Sequence, residues 1–284
     1  MGMSMQLVLP LPRLDALRSG AHRLSGLGDP ALADACGVHI FFTTREGGVS
    51  EGAYGALNLG SHVGDDPACV QENRRILMEA LGAAGMPLVV PNQVHGDALA
   101  VICDGDPAGI EAAQTAAAAG ADGILVGVPD VAALLCFADC VPVVIVSPTG
   151  RFAVVHAGWR GVMAEAAPGA LRELAALDGL EGDAVDPAGC NVYIGPHICP
   201  SCFQTGEDVA AGFAERFGTG CVPDARHVDL QAALAASLVR AGASPDRIAS
   251  ADACTRCQSE RFFSYRASGG VCGRHGAIAF RKVG

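Results

Sequence analysis

The sequence predicts an α/β fold of the α+β kind: a single-domain sandwich built on a mixed β-sheet with flanking helices. Apolar segments of strand length follow one another in the middle of the chain, which is typical of strands buried on both faces. Segments with helix-start signals lie before and after them. The chain has 284 residues, half of them hydrophobic, and neither a linker nor an internal repeat, which favours one large domain.

The first half of the predicted domain opens with a strand that runs into a glycine turn. Residues 39–44 are β-branched and aromatic, so Arg45, which follows them, lies at a strand end. Asp66 and Pro67 are an N-cap and a first-turn proline, and they predict a helix through Leu81. Further strands are predicted at residues 88–90 and 98–103, and a helix around Ala116.

The second half of the chain contains the most apolar strands and three more helices. Asp, Pro and Gly residues separate the apolar segments, as expected for strands joined by turns. The strand order stays undetermined from sequence. Strands are predicted at residues 123–127, 131–137, 141–147, 152–156, 191–195, 247–250 and 276–281, and helices at 168–177, 207–217 and 230–241.

Charge and hydropathy exclude several classes of partner. The formal net charge of −11 disfavours nucleic acid and anionic membranes, but a small anionic substrate in a local arginine pocket is compatible with it. The most apolar stretch, residues 131–146, is interrupted by Asp139 and Pro142 and is too short for a membrane helix. Residues 1–35 lack an export signal and are expected to form a partly mobile leader before a catalytic domain at 36–284. We expect a cytoplasmic monomer.

Three polar segments each place a metal-binding side chain beside glycine or at a strand edge. They are NQVHG, ADC and HAGWRG, which contribute His95, Cys140 and His156. Imidazole and thiolate suit zinc, and three protein ligands leave one position open, as in catalytic sites. Spacing alone also allows ordinary core histidines. In HAGWRG, Trp159 and Arg160 begin a predicted helix. The segment is therefore either an anion-binding site or a place where the arginine pairs with a carboxylate and the tryptophan fills the core.

The cysteines are numerous for a chain without an export signal. Two pairs have CxxC spacing, Cys199/Cys202 and Cys254/Cys257, among twelve cysteines in all. Four such thiolates could close a structural zinc site, but the roughly 50 residues between the pairs exceed the usual spacing of zinc-binding knuckles. A reduced thiol cluster is the alternative.

Several irregular motifs, taken together and in order, resemble the YfiH or laccase-domain family. They are FTTREGGVSEGAYGALNLGSHVGDD, NQVHG, ADGILV, FADCVPVVIV, VVHAGWRG, YIGP and FFSYRASGGVCGRHG, and they span nearly the whole chain after residue 38. Members of this family are described as polyphenol oxidoreductase, peptidoglycan editing factor, and purine nucleoside phosphorylase with adenosine deaminase activity. The tail departs from the pattern, since GVCGRHG stands where members tend to have threonine before the Gly-Arg and methionine after it.

The resemblance implies roles for individual residues. His95, Cys140 and His156 fall on the family's zinc-binding positions, with copper as an alternative metal. Arg45 and Arg160 match arginines suited to an oxyanion, and Asp139 is expected either to transfer a proton or to cap a turn. The expected substrate-binding residues are Arg45, Asn58, Gln93, Trp159 and Arg160.

The implied activity is zinc-dependent phosphorolysis of adenosine, inosine or methylthioadenosine, with adenosine deaminase activity at the same site. A metal lowers the pKa of water to about 7, which would provide hydroxide for the deamination. One alternative is Cys-His acyl-transfer or peptidoglycan-editing chemistry, with Cys140 as nucleophile and His156 as base. Others are a copper-dependent polyphenol oxidoreductase, disfavoured because the sequence has no His-x-His pair, and a zinc-stabilised binding module with a closed site.

Overall fold

A computed structural model describes residues 7–21, 24–179 and 185–283, and it confirms the predicted fold class. The strands form two six-stranded mixed sheets rather than one. The first sheet contains, in spatial order, β1 (Asp15–Ser19), β2 (Leu24–Gly28), β3 (Val38–Thr43), β12 (His275–Arg281), β7 (Ala132–Phe137) and β4 (Leu88–Val89). The second contains β11 (Ile248–Ser250), β10 (Asn191–Ile194), β8 (Val141–Val146), β9 (Phe152–Ala157), β6 (Gly123–Val126) and β5 (Leu99–Ile102).

Four of the helices begin after an aspartate N-cap. The side chains of Asp29, Asp66, Asp106 and Asp229 each accept a hydrogen bond from a backbone N–H of the helix that follows, so they satisfy donors that the first turn leaves unpaired. The helices are α1 (Pro30–Cys36), α2 (Pro67–Ala80), α3 (Pro107–Ala119), α4 (Trp159–Met163), α5 (Ala166–Gly179), α6 (Glu207–Phe217) and α7 (Leu230–Arg240).

Alternating side chains of the strands build separate cores on the two faces of each sheet. Phe42 and Leu135 of the first sheet pack with Val144 and Val154 of the second, so the sheets face one another. The opposite face of the second sheet packs on α5, α6 and α7, and that of the first on α2. Most of these strand residues are fully buried, which explains why their sequence is continuously apolar.

Part of the expected leader at residues 1–35 forms regular secondary structure. β1 pairs with β2, and β2 pairs with β3, so residues 15–28 extend the first sheet, and α1 follows directly. Leu24 is fully buried in this arrangement. These strands escaped detection because each has five residues and they include glycine and charged residues. Residues 1–6, 22 and 23 lie outside the described part of the chain.

Among residues 7–21, 24–179 and 185–283, no helix is both long and apolar enough to cross a membrane. The stretch at residues 131–146 forms β7 and β8, as the sequence predicts, and both strands are completely buried.

Candidate metal centre and active-site cavity

Three loop and strand positions bring His95, Cys140 and His156 together. His95 lies in the loop between β4 and β5 with a φ of 62°, and Cys140 directly precedes β8. His156 lies in β9, whose antiparallel pairing sets it opposite Pro142, two residues after Cys140. The ligand atoms of the three side chains all lie within 4.8 Å of one another. The three predicted ligands therefore lie close together, which is compatible with one shared ion.

Asp122, which sequence reasoning did not single out, organises two of these ligands. One carboxylate oxygen lies 2.8 Å from Nδ1 of His156 and accepts the backbone N–H of His95 at 2.9 Å. The other oxygen accepts the backbone N–H groups of Val94 and Gly96, at 3.2 and 2.6 Å. The carboxylate therefore holds the His95 loop and directs Nε2 of His156 towards the ion site, as carboxylates commonly do for metal-binding histidines.

The electrostatics of the triad favour a thiolate beside an imidazolium. Burial by itself raises the pKa of the Cys140 thiol, but the charge and hydrogen bonds of His156 and His95 outweigh it and lower that pKa. Burial likewise opposes the charged form of His156, yet the Cys140 thiolate and Asp122 raise the pKa of this imidazole. Burial raises the pKa of the Asp122 carboxyl, but the hydrogen bond and charge of His156 and the backbone N–H groups of Gly96 and His95 lower it more, so the pKa is lowered overall. The thiolate needed for metal binding is thus favoured at neutral pH.

Gly158 leaves the space that the three ligands occupy. A Cβ atom at this position would lie 3.1 Å from Sγ of Cys140 and 3.1 Å from Cδ2 of His95. Its φ of −65° is open to any residue, so the close approach is what requires glycine here. Two imidazoles and one thiolate around this space form a donor set that fits zinc.

The triad lies in the wall of a cavity of about 390 Å³, which is within the size range of small-molecule sites. The cavity brings basic and aromatic side chains to the metal ligands, and none of these was selected from sequence. All of them except Phe203 belong to a motif that carries the family resemblance. The additional side chains include His62, Phe203, Tyr265, Arg266 and Arg274.

Asp139 and Gln93 also line this cavity, but their polar groups already have partners. Asp139 accepts a hydrogen bond from the Thr255 hydroxyl at 2.6 Å and another from the backbone N–H of Arg266 at 2.7 Å. Its φ of 89° places it in a tight turn. The amide of Gln93 exchanges two hydrogen bonds with the backbone of Cys136. Both residues therefore shape the cavity wall, and this geometry favours the turn-capping interpretation of Asp139.

The structure places the remaining predicted residues elsewhere. The Arg45 guanidinium donates to the carbonyl oxygens of Gly55 and Ser259 and lies over a phenylalanine ring, so backbone groups occupy it. Arg160 is exposed and stacks on the neighbouring Trp159 ring at 4.4 Å. Trp159 packs partly against the core beside α5.

Asn58 is fully buried, and its amide hydrogen-bonds to backbone atoms and to Asp65. None of Arg45, Asn58, Trp159 and Arg160 lines the cavity. The lining of this cavity therefore gives no support to the predicted role of Arg45 and Arg160 in binding an oxyanion. A strand end and a helix start indicate where a residue lies along the chain, but not which side of the sheet edge its side chain reaches.

Comparison with known proteins assigns the chain to a family. The model of the family described as multi-copper polyphenol oxidoreductase laccase matches residues 39–282. The chain is 35% identical over 254 residues to adenosine deaminase RL5 from an unknown prokaryotic organism, covering 87% of this chain and 95% of that protein. It is 33% identical over 263 residues to purine nucleoside phosphorylase YlmD of Geobacillus stearothermophilus, covering 90% and 93%.

A solved structure extends the similarity to the fold. The crystal structure of the hypothetical protein YfiH of Bacillus licheniformis superposes with a TM-score of 0.79 at 27% identity, covering 94% of this chain and 97% of that one. Sequence motifs, fold and family match therefore agree over nearly the whole chain, and the protein belongs to the multi-copper polyphenol oxidoreductase laccase family, the YfiH-like proteins.

Proposed function

We propose that this protein is a metal-dependent purine nucleoside phosphorylase that also deaminates adenosine. The observation that carries the proposal is the three-ligand centre of His95, Cys140 and His156 in the wall of a cavity that also contains Arg266 and Arg274. Relatives named purine nucleoside phosphorylase and adenosine deaminase support it. Zinc is the proposed metal, and the cytoplasmic, monomeric state remains a prediction from sequence.

In phosphorolysis, a phosphate oxygen forms a bond to C1′ of the ribose while the bond from C1′ to the purine nitrogen breaks. The bonding electron pair leaves with the base, which takes up a proton, so the products are free purine and ribose 1-phosphate. Because the transition state resembles an oxocarbenium ion, positioning and electrostatic stabilisation supply most of the catalysis.

Arg266 and Arg274 are the proposed phosphate ligands. In the described part of the chain, Arg274 donates its hydrogen bonds from Nη1 to Cys272 and Gly273, which leaves Nε and Nη2 for an oxyanion. Arg266 is exposed and donates from Nη2 to the carbonyl oxygen of Gln204, so its guanidinium is held beside the cavity. Two planar guanidiniums match the geometry of phosphate oxygens.

In deamination, a water oxygen forms a bond to C6 of adenine, the bond from C6 to the amino nitrogen breaks, and inosine and ammonia are released. A bound zinc ion supplies Lewis-acid chemistry for this step. The residues of the chain position the purine: Tyr265 and Phe203 offer aromatic surface beside the triad.

The test combines metal analysis with two assays. Protein purified without added metal is analysed for zinc and copper and then assayed with inosine and with adenosine, in the presence and absence of phosphate. We expect phosphate-dependent release of hypoxanthine from inosine and phosphate-independent formation of inosine from adenosine. His95→Ala and Cys140→Ala should abolish both activities, whereas Cys103→Ala, at an exposed thiol outside the cavity, should retain them. Normal turnover in the first two variants would contradict the proposal.

One observation favours a second candidate, a thiol-dependent acyl transferase. Cys140, His156 and Asp122 form the nucleophile, base and orienting carboxylate of a Cys-His-Asp arrangement. Metal dependence separates the two candidates, because a thiolate bound to zinc is not free to attack an acyl group. If turnover of inosine and adenosine is lost when the metal is removed and returns when zinc is restored, the acyl-transferase candidate is excluded.

A further inference from the structure

The two CxxC pairs, 55 residues apart, meet at one edge of the second sheet. Cys199 and Cys202 lie in the turn after β10, and Cys254 and Cys257 lie in the turn after β11. Because β10 and β11 are neighbouring parallel strands, their carboxyl ends lie at the same sheet edge. A bridge between His197 and Cys254 continues this pairing into the turns. The four sulfur atoms all lie within 4.8 Å of one another.

The spacing of these sulfurs fits a tetrahedral metal ion. With metal–sulfur bonds of about 2.3 Å, sulfurs at the corners of a tetrahedron are about 3.8 Å apart. Sγ of Cys202 lies 3.5 Å from Sγ of Cys257, and every other pair is within the same 4.8 Å limit. A disulfide would require about 2.05 Å, and all twelve cysteines are free.

Backbone groups beside the cluster are directed at one of its sulfurs, Sγ of Cys254. The backbone N–H groups of Cys199 and Cys257 both point at Sγ of Cys254, at 3.3 and 3.4 Å. The backbone N–H of Cys202 donates to the carbonyl oxygen of Cys199 at 3.0 Å, which closes the first turn. These two N–H groups lower the pKa of the Cys254 thiol and so oppose the effect of burial, which raises it; the thiolate is the form that binds metal.

We propose that Cys199, Cys202, Cys254 and Cys257 bind a second, structural zinc ion. Four thiolates complete a tetrahedral shell and leave no position for substrate, so this site differs in kind from the three-ligand centre in the cavity. Sequence alone disfavoured it because of the long gap between the pairs. Adjacent parallel strands remove that objection, since the sheet brings the two turns together.

This ion would hold the wall of the cavity. Ile198 and Phe203, which flank the first pair, both line the cavity. Thr255, between the cysteines of the second pair, donates its hydroxyl to Asp139 at 2.6 Å, and Asp139 also accepts the backbone N–H of Arg266. A zinc ion bound to both turns would therefore restrain the loops on which cavity residues lie. Loss of this ion should lower the stability of the fold and make the cavity loops more mobile.

Metal counting in matched double variants tests the proposal without relying on activity. Each protein is purified under reducing conditions without added metal, and its zinc content is measured. We expect about two zinc ions per wild-type chain. Cys202→Ser/Cys257→Ser should lose one of them, and His95→Ala/Cys140→Ala should retain that one. Cys69→Ser/Cys103→Ser, which removes two free thiols outside both clusters, should match wild type.

Cobalt substitution identifies the ligands of each ion. In His95→Ala/Cys140→Ala, the remaining cobalt should show the strong thiolate-to-metal absorption of a four-sulfur site, and Cys202→Ser/Cys257→Ser should lose that absorption. If the double serine variant does not fold, Cys257→Ser at an exposed position is used in its place.

Three results would overturn the second site. They are unchanged zinc content in the serine variants, a disulfide between the pairs in reduced wild-type protein, and iron in place of zinc. Zinc missing only from the cavity centre would instead contradict the proposed function and leave the four-cysteine site standing.

Discussion

Asp122→Asn should weaken metal binding by changing a residue that does not itself contact the ion. The native carboxylate accepts four hydrogen bonds, two at each oxygen, from His156 and from the backbone N–H groups of Val94, His95 and Gly96. An amide keeps one accepting oxygen and places an NH₂ group against the donors at the other. Two of the four bonds and the negative charge opposite His156 are therefore lost.

The expected loss of zinc affinity in Asp122→Asn is that of other metal sites with an orienting carboxylate. Loss of a carboxylate that orients a metal-binding histidine lowers metal affinity by about 10- to 100-fold, which is about 1.4–2.8 kcal/mol. Zinc affinity is measured by competition with a chelator of known affinity. Asp178→Asn is the matched control, because Asp178 is a buried carboxylate that pairs with Arg151 away from the cavity. Both variants should be less stable, but only Asp122→Asn should bind zinc less tightly. Wild-type zinc affinity in Asp122→Asn would refute the orienting role.

Three further outcomes are expected at other positions. Gly158→Ala should lower zinc affinity by about tenfold, because the added Cβ crowds two metal ligands. Gly169→Ala is the control, since its Cβ would have no atom within 4 Å, and it should leave zinc affinity unchanged. Equal zinc affinities in the two variants would contradict the crowding argument. Arg274→Gln should raise the KM for phosphate by about tenfold or more and leave that for nucleoside nearly unchanged, with exposed Arg172→Gln as control. Burial and the charge of Arg274 lower the pKa of His275 to about 3 in the folded protein. Between pH 6.5 and 3 this imidazole therefore takes up a proton only in the unfolded chain, so the free energy of unfolding falls by about 2 kcal/mol between pH 7 and 5. His275→Gln should flatten this acid dependence in denaturant titrations, and an unchanged slope would exclude His275 as its source.

The fold was predictable wherever burial and local signals agreed. The strands β6 to β9 are apolar on both faces because they lie between two cores, and that pattern is visible without any tertiary information. The Asp66–Pro67 pair marked the start of α2 for a purely local reason, an N-cap followed by a proline without an N–H. The division into two sheets was not predictable, because it depends on pairing between strands far apart in the sequence, such as β3 with β12.

The candidate site divides in the same way. His95, Cys140 and His156 were predictable from chemistry and motif, because few residue types bind zinc and each lies at a turn or strand edge. Asp122 was missed although it belongs to a quoted motif, since a carboxylate reveals its partner only when the loop at residues 94–96 folds over it. The phosphate assignment to Arg45 depended on charge alone, and the backbone carbonyls that occupy its guanidinium lie 10 and 214 residues away.

The ligand set bears on the choice between zinc, the proposed metal, and copper, which the family description names. Two histidines and one cysteine also occur in blue-copper sites, but there a methionine, glutamine or backbone oxygen supplies a weak axial ligand. Among the described residues that line the cavity there is no methionine, and both ends of the Gln93 amide are hydrogen-bonded to Cys136. The triad that would hold the ion thus lies in the wall of a cavity of about 390 Å³ whose described lining offers neither a methionine nor an unpaired glutamine amide as an axial ligand. The proposed chemistry on a nucleoside needs a metal position that substrate can reach, and zinc suits that role better than an electron-transfer copper centre does.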